Sequence, residues 1–93
     1  MKAGSTVESG IHLRWDRLQE FMGELSLLSV EGQARQLEMR PLNLHRAKHD
    51  NRVGDRTIVE IMAGTAAIAR RRRAKAPKFE DLFEIRLPAR PES

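Results

Sequence analysis

The sequence predicts a mainly α-helical domain, a small bundle of three to four short helices with a short strand near residues 83–87. Ala, Leu, Glu and Arg dominate its 93 residues, whereas Val, Ile and Thr together number only twelve and tyrosine is absent. This composition favours helix over sheet. Apolar residues also recur at spacings of three and four in two long segments. A small α+β fold, with strands at 11–15, 36–44 and 83–87, is the alternative.

The ends of the chain differ from its middle in composition. Residues 1–9 are mostly small and polar, and the last six residues contain two prolines. Short polar ends of this kind are usually poorly ordered. We therefore expect a flexible N-terminus over 1–9, one domain over 10–87 and a flexible C-terminus over 88–93.

The first apolar pattern begins at Ile11 and has two interpretations. The apolar positions are spaced as in an amphipathic helix that Ser9 would cap: Ile11, Trp15, Leu18, Met22, Leu25 and Leu28. Residues 11, 13 and 15 also alternate as in a strand, which would place the helix start at Asp16, with Gln19 completing a capping box. Both interpretations predict helix over residues 17–28.

Residues 29–56 give the weakest pattern. Val30, Ala34 and Leu37 are spaced as in a short helix, which Pro41 would stop. Apolar residues between 37 and 44 also alternate as in an edge strand. The polar stretch from His45 to Arg56 predicts an exposed loop.

The clearest helix signal begins at Thr57. Thr57 and Glu60 match a capping box, and one apolar stripe follows: Ile58, Ile61, Met62, Thr65, Ile68 and Ala69. Gly64 lies where the turn of a helix-turn-helix would place a glycine, but the stripe continues through it and indicates one uninterrupted helix. Arg70–Arg73 occupy its last turn, and Pro77 ends the segment.

The chain continues with Phe79, Leu82 and Phe83 at helical spacing among acidic residues. They could fill an apolar groove of a partner protein, or they could pack on the chain's own helices and complete a core with few aromatic residues. Ile85 and Leu87 then alternate as in a short strand. The thin core also admits a homodimer, in which a second copy covers apolar surface.

Positive charge is concentrated in one short segment. Arg70, Arg71, Arg72, Arg73, Lys75 and Lys78 contribute six positive charges without an intervening acid, whereas the remaining residues carry eleven basic and thirteen acidic side chains. Such a cluster attracts a phosphate backbone or an acidic protein surface. The sequence thus predicts a binding protein that contacts DNA or RNA through these residues, aided by Arg52 and Arg56. An adaptor, inhibitor or assembly factor that binds an acidic partner is the alternative.

The sequence gives no sign of catalysis or of a cofactor. It has no cysteine, no glycine-rich phosphate loop and no serine in an elbow motif. His45 and His49 are four residues apart and precede Asp50, but tetrahedral zinc needs further ligands and His12 is distant. We therefore expect neither enzyme activity nor a metal site. The absence of cysteine and of a long apolar run fits a cytoplasmic protein that does not contact membranes.

Overall fold

The computed structural model describes residues 9–88 and confirms a mainly helical fold with a short pair of strands. Strand β1 is Gly10–Leu13 and strand β2 is Phe83–Arg86. Between them lie five α-helices: α1 (Trp15–Met22), α2 (Val30–Leu37), α3 (Pro41–Lys48), α4 (Asp55–Arg72) and α5 (Phe79–Leu82), with a 3₁₀ helix at Gly23–Leu27 after α1. The predicted flexible termini lie outside the described residues, except for Ser9 and Pro88.

The two strands form an antiparallel ladder that joins the beginning and the end of the domain. Gly10 pairs with Arg86 and Leu13 with Phe83. Of the two interpretations of the first apolar pattern, the strand followed by a helix is therefore correct, although the helix begins at Trp15. Its N-cap is Arg14, and Gln19 instead hydrogen-bonds Gln33. The alternative strand over 36–44 is not formed.

Helix α1 is shorter than the sequence predicts. It ends at Met22 because Gly23 has a positive φ of 61°, and a 3₁₀ segment replaces the rest of the helix predicted over 17–28. Leu28 is extended, and the Ser29 side chain then accepts the N–H of Gly32 at 3.1 Å and caps α2.

The region between α2 and α4 corrects two expectations. Pro41 does not stop α2; it begins α3 at a position where the missing N–H costs no hydrogen bond. Helix α2 already ends at Leu37, because Glu38 has a left-handed φ of 59°. The predicted loop over 45–56 is also wrong at both ends, since α3 continues to Lys48 and α4 begins at Asp55.

Helix α4 is one continuous helix of 18 residues, as the apolar stripe predicts. The predicted capping box is wrong: the N-cap is Gly54, and Glu60 accepts a hydrogen bond from the Asn43 amide at 3.2 Å. The helix ends at Arg72, five residues before Pro77. The part of the chain described contains no helix that is both long and apolar enough to cross a bilayer.

Helix α4 crosses α2 at Gly64, where the two backbones approach closely. A Cβ atom at Gly64 would lie only 2.6 Å from the Leu37 carbonyl oxygen and 2.9 Å from a Leu37 methyl carbon. Only glycine fits this crossing without movement of α2. The core around the crossing includes Leu18, Met22, Leu44, Ile61, Ile68, Leu82 and Phe83.

Candidate nucleic-acid interface

The arginine cluster lies at the carboxyl end of α4. Arg70–Arg72 form the last helical turn, and Arg73 ends the helix in the left-handed conformation with φ 56°. The N–H of Ala74 bonds the Ala69 carbonyl at 2.8 Å, as in a Schellman ending. Glycine usually occupies the left-handed position of this motif. Cationic side chains beside the exposed carbonyl groups also interact favourably with the helix dipole.

Arg72 differs from its three neighbours, because its guanidinium group binds another part of the chain. Its two terminal nitrogens donate to the carbonyl oxygens of Phe21 and Met22, both at 2.7 Å. The same group lies over the Phe21 ring, 5.3 Å from its centroid. Arg72 therefore joins the end of α4 to the end of α1. The prediction that all four guanidinium groups are available to an external ligand is wrong for this residue.

Five other cationic side chains of the segment are exposed and make no hydrogen bond or ion pair with the described residues: those of Arg70, Arg71, Arg73, Lys75 and Lys78. The acids nearest in sequence do not neutralise them. Asp81 accepts the backbone N–H of Lys78 at 2.9 Å and so helps to begin α5. Glu24 lines the same open hollow as Arg71, but no ion pair forms between them. These five residues are named the α4 basic cluster below.

Arg52 and Arg56 do not join this cluster. Arg56 lies in the first turn of α4, 14 residues before Arg70, which corresponds to ~21 Å along a helix. Arg52 forms an isolated β-bridge with His12 and packs its side chain against Gly10. The structure thus separates the predicted nucleic-acid-binding residues into two groups at opposite ends of α4.

The predicted partner-binding residues lie mostly inside the core. Leu82 and Phe83 are 1% and 2% exposed, and the half-buried Phe79 stacks on Phe83 with ring centroids 5.0 Å apart. They complete the chain's own core, which was the alternative interpretation. In this conformation they cannot fill a groove of another protein.

Two of the three histidines, His45 and His12, contact acidic residues, Glu31 and Asp50 respectively. The His45 Nε2 atom lies 3.0 Å from a Glu31 carboxylate oxygen, and this contact lowers the pKa of Glu31. His12 is fully buried, and its Nδ1 atom lies 3.0 Å from the Asp50 carbonyl oxygen. Within residues 9–88, no three His, Asp or Glu side chains are arranged to hold a metal ion.

The structure also contains an ion-pair network beside the β-sheet, which the sequence does not predict. Arg86 donates two hydrogen bonds of 2.9 Å to the Asp50 carboxylate and also pairs with Glu84. The Arg86 hydrogen bonds lower the pKa of Asp50, and the two carboxylates raise that of Arg86. Asp50 and Arg86 are 36 positions apart, so no local pattern reports their contact.

This network borders an open cleft of about 540 Å³, which Lys48 and Trp15 also line. The Lys48 ammonium group lies 5.6 Å from the centre of the Trp15 ring. Three basic and three acidic side chains line the cleft: Arg14, Lys48, Arg86, Asp16, Asp50 and Glu84. Because these charges balance, the cleft has no net attraction for an anion, in contrast to the α4 basic cluster.

Comparison with protein-family models, curated proteins and solved structures finds no match to this chain.

Proposed function

We propose that this protein is a small non-enzymatic binding protein that contacts nucleic-acid phosphates through the α4 basic cluster, as a regulator or accessory protein would. The observation that supports the proposal is the absence of any ion pair at these five exposed cations among the described residues. A phosphate backbone would therefore compete with water and salt ions, not with a carboxylate already bound.

The geometry of the cluster favours phosphates over a single small anion. Arg70, Arg71 and Arg73 follow one another around the helix end, and Lys75 and Lys78 extend the charge along the segment after it. Side chains spread in this way can reach several phosphates, and the arginine fork can bind each phosphate through two N–H groups. Such contacts position a protein on DNA or RNA without reading its sequence.

An interaction module for an acidic protein is the second candidate, and a groove between α2 and α4 favours it. The groove has a volume of about 230 Å³, and its apolar lining includes Leu37, Val59, Ala63 and Ala67. Glu38 and Glu60 also line the groove, so a partner would have to fill it with apolar side chains and place its carboxylates at Arg71 at the end of α4. The same binding experiment distinguishes the two candidates.

The test is a fluorescence anisotropy titration of a labelled generic duplex and a labelled single strand, at 50 and 200 mM salt. We expect binding tighter than ~100 μM at the lower salt, and a fall in log affinity with log salt of about 0.9 for each phosphate contacted in B-form DNA. The informative variant replaces Arg70, Arg71 and Arg73 with Gln and leaves Arg72 intact. If each contacts a phosphate, the salt slope falls by about 2.7.

The matched control replaces Arg35, Arg40 and Arg46 with Gln, because it removes the same charge from exposed positions on α2, at the N-cap of α3 and on α3. It should retain most of the salt slope. An equal loss in both triple variants would mean that binding follows net charge and has no defined surface. If neither probe binds at 50 mM salt, the phosphate proposal is wrong, and the acidic-protein candidate takes its place.

A further inference from the structure

Strand β2 has one edge with which no residue between 9 and 88 pairs, and the hydrogen bonds of the ladder show which backbone groups face this open edge. The Ile11 carbonyl accepts the Val53 N–H at 2.8 Å on the side of β1 away from β2, and Ile11 is paired with Ile85. The Arg14 N–H bonds the Leu82 carbonyl at 2.7 Å. Residues in an antiparallel ladder alternate between bonding inward and outward. The N–H and C=O of Ile85 therefore point away from β1.

No described residue pairs with this edge, and two large apolar side chains beside it are exposed. In the described part of the chain the sheet consists of β1 and β2, and the bridge to Arg52 lies beyond β1. Ile85 and Leu87 are 63% and 78% exposed. Because alternate residues of a strand share a face, Ile85 and Leu87 lie on the same face as Phe83, which is buried. An apolar, unpaired strand edge is a surface to which another strand can add.

The sequence from Phe83 to Leu87 is complementary to itself when two copies run antiparallel. With Ile85 opposite Ile85 of a second copy, each Glu84 lies opposite an Arg86 and each Phe83 opposite a Leu87. Every cross-strand pair is then either apolar with apolar or acid with base, which are the favourable combinations. We propose that β2 pairs with β2 of a second copy of this chain, forming a four-stranded sheet across a two-fold axis at Ile85.

The neighbouring backbone and the charges together favour this register, since a two-residue shift that places Arg86 on the two-fold axis would bring two like charges opposite each other. The Phe83 N–H already bonds the Phe79 carbonyl at the end of α5, and Pro88 has no N–H. The intermolecular ladder therefore contains four hydrogen bonds, two between the Ile85 residues and two from Leu87 N–H groups to Phe83 carbonyls. A shift by one residue would place the outward N–H and C=O groups of one strand opposite the inward groups of the other.

Such a dimer is expected to be weak, because five residues on each side bury far less surface than a standard protein interface. The dissociation constant should be on the order of 10–100 μM, in the range of small transient interfaces. The dimer does not depend on the proposed phosphate binding, since β2 and the α4 basic cluster share no residue. If dimerisation is not observed, phosphate binding can still be measured, and if phosphate binding is not observed, dimerisation can still be measured.

The test uses two variants with opposite charges at the two-fold axis. Ile85→Lys and Ile85→Glu each place like charges opposite one another, so each should weaken dimerisation at least ~10-fold in sedimentation equilibrium between 5 and 500 μM. An equimolar mixture should recover a heterodimer, because Lys then lies opposite Glu. The matched control makes the same changes at Leu42, which is 58% exposed on α3. Circular dichroism verifies that each variant is folded.

Ile85→Pro is the second variant, because it removes an N–H of the open edge and no bond to β1. It should be monomeric, whereas Ile85→Thr, which retains the N–H, should be a weakened dimer. The proposal is overturned if the unaltered chain is monomeric at 500 μM, or if Ile85→Lys dimerises as well as the unaltered chain. Failure of the mixture to form a heterodimer overturns the register. If an equimolar mixture of Leu42→Lys and Leu42→Glu also forms a heterodimer, attraction between oppositely charged variants alone would explain the result, and the proposal would lose its support.

Discussion

Replacement of Arg72 by alanine should destabilise the fold, whereas the same change at Arg71 should not. Arg72 donates two hydrogen bonds of 2.7 Å to the Phe21 and Met22 carbonyls and lies over the Phe21 ring. A hydrogen bond that involves a charged group contributes ~1.5–3 kcal/mol when buried, and less at an exposed position such as this one. We expect the variant to lose about 1–3 kcal/mol in total.

The comparison with Arg71→Ala cancels the effects that the two positions share. Both changes remove one positive charge from the last turn of α4 and weaken its interaction with the helix dipole. Only Arg72→Ala breaks contacts with α1. For a domain of this size, 1 kcal/mol corresponds to ~4–8 °C in Tm, so Arg72→Ala should melt roughly 5–20 °C lower. Urea unfolding and thermal melts followed by circular dichroism measure both variants. Equal losses would refute the anchoring role of Arg72.

Other substitutions test the packing and the electrostatics. Gly64→Ala should cost about 1–2 kcal/mol in urea unfolding, since overpacking against α2 outweighs the ~1 kcal/mol helix preference of alanine; a gain in stability would contradict the close crossing. The exposed Ala63→Gly should lose about 1 kcal/mol through that preference alone. Phe83→Ala should cost ~3–5 kcal/mol, and an unchanged Tm would place Phe83 outside the core. Asp50→Asn should flatten the pH dependence of stability below pH 4, because the lowered pKa of Asp50 adds stability above its ordinary value of 3.8 that is lost on acidification. Arg73→Gly should raise stability by up to ~1 kcal/mol by relieving the left-handed strain, yet weaken phosphate binding; equal affinity would exclude Arg73 from the contact.

Local patterns predicted helix in the regions of α1, α2, α4 and α5 but not the ends of these helices, and they did not predict α3. The apolar stripe predicts α4 as one continuous helix, because successive turns of the helix bury the same face. Its start could not be predicted, because the threonine and glutamate of the apparent capping box do not make those bonds. Pro41 is ambiguous in the sequence, because proline is compatible both with stopping one helix and with starting the next. The end of α2 depends on Glu38 in a left-handed conformation, which no sequence pattern indicates.

The candidate site was predictable as a charge cluster but not as a surface. The sequence located the arginines at a helix end, and the structure agrees. It could not separate Arg72 from its neighbours, since the Phe21 carbonyl that binds it is 51 positions away. The distance between Arg56 and the α4 basic cluster also follows only from the length of α4, which the sequence does not define at its start. Long-range contacts decide which of several identical side chains remains available to a ligand.

The pairing of β1 with β2 has a consequence for how the chain is made. The paired residues of this ladder lie 70–76 positions apart, and almost all of the helical domain lies between them. A ribosome releases β2 only after every helix has emerged, so β1 remains without its ladder partner through most of synthesis. Contacts this distant along the chain also slow folding, because a long loop must close before they form. The helices are thus expected to assemble first, and the ladder to close last.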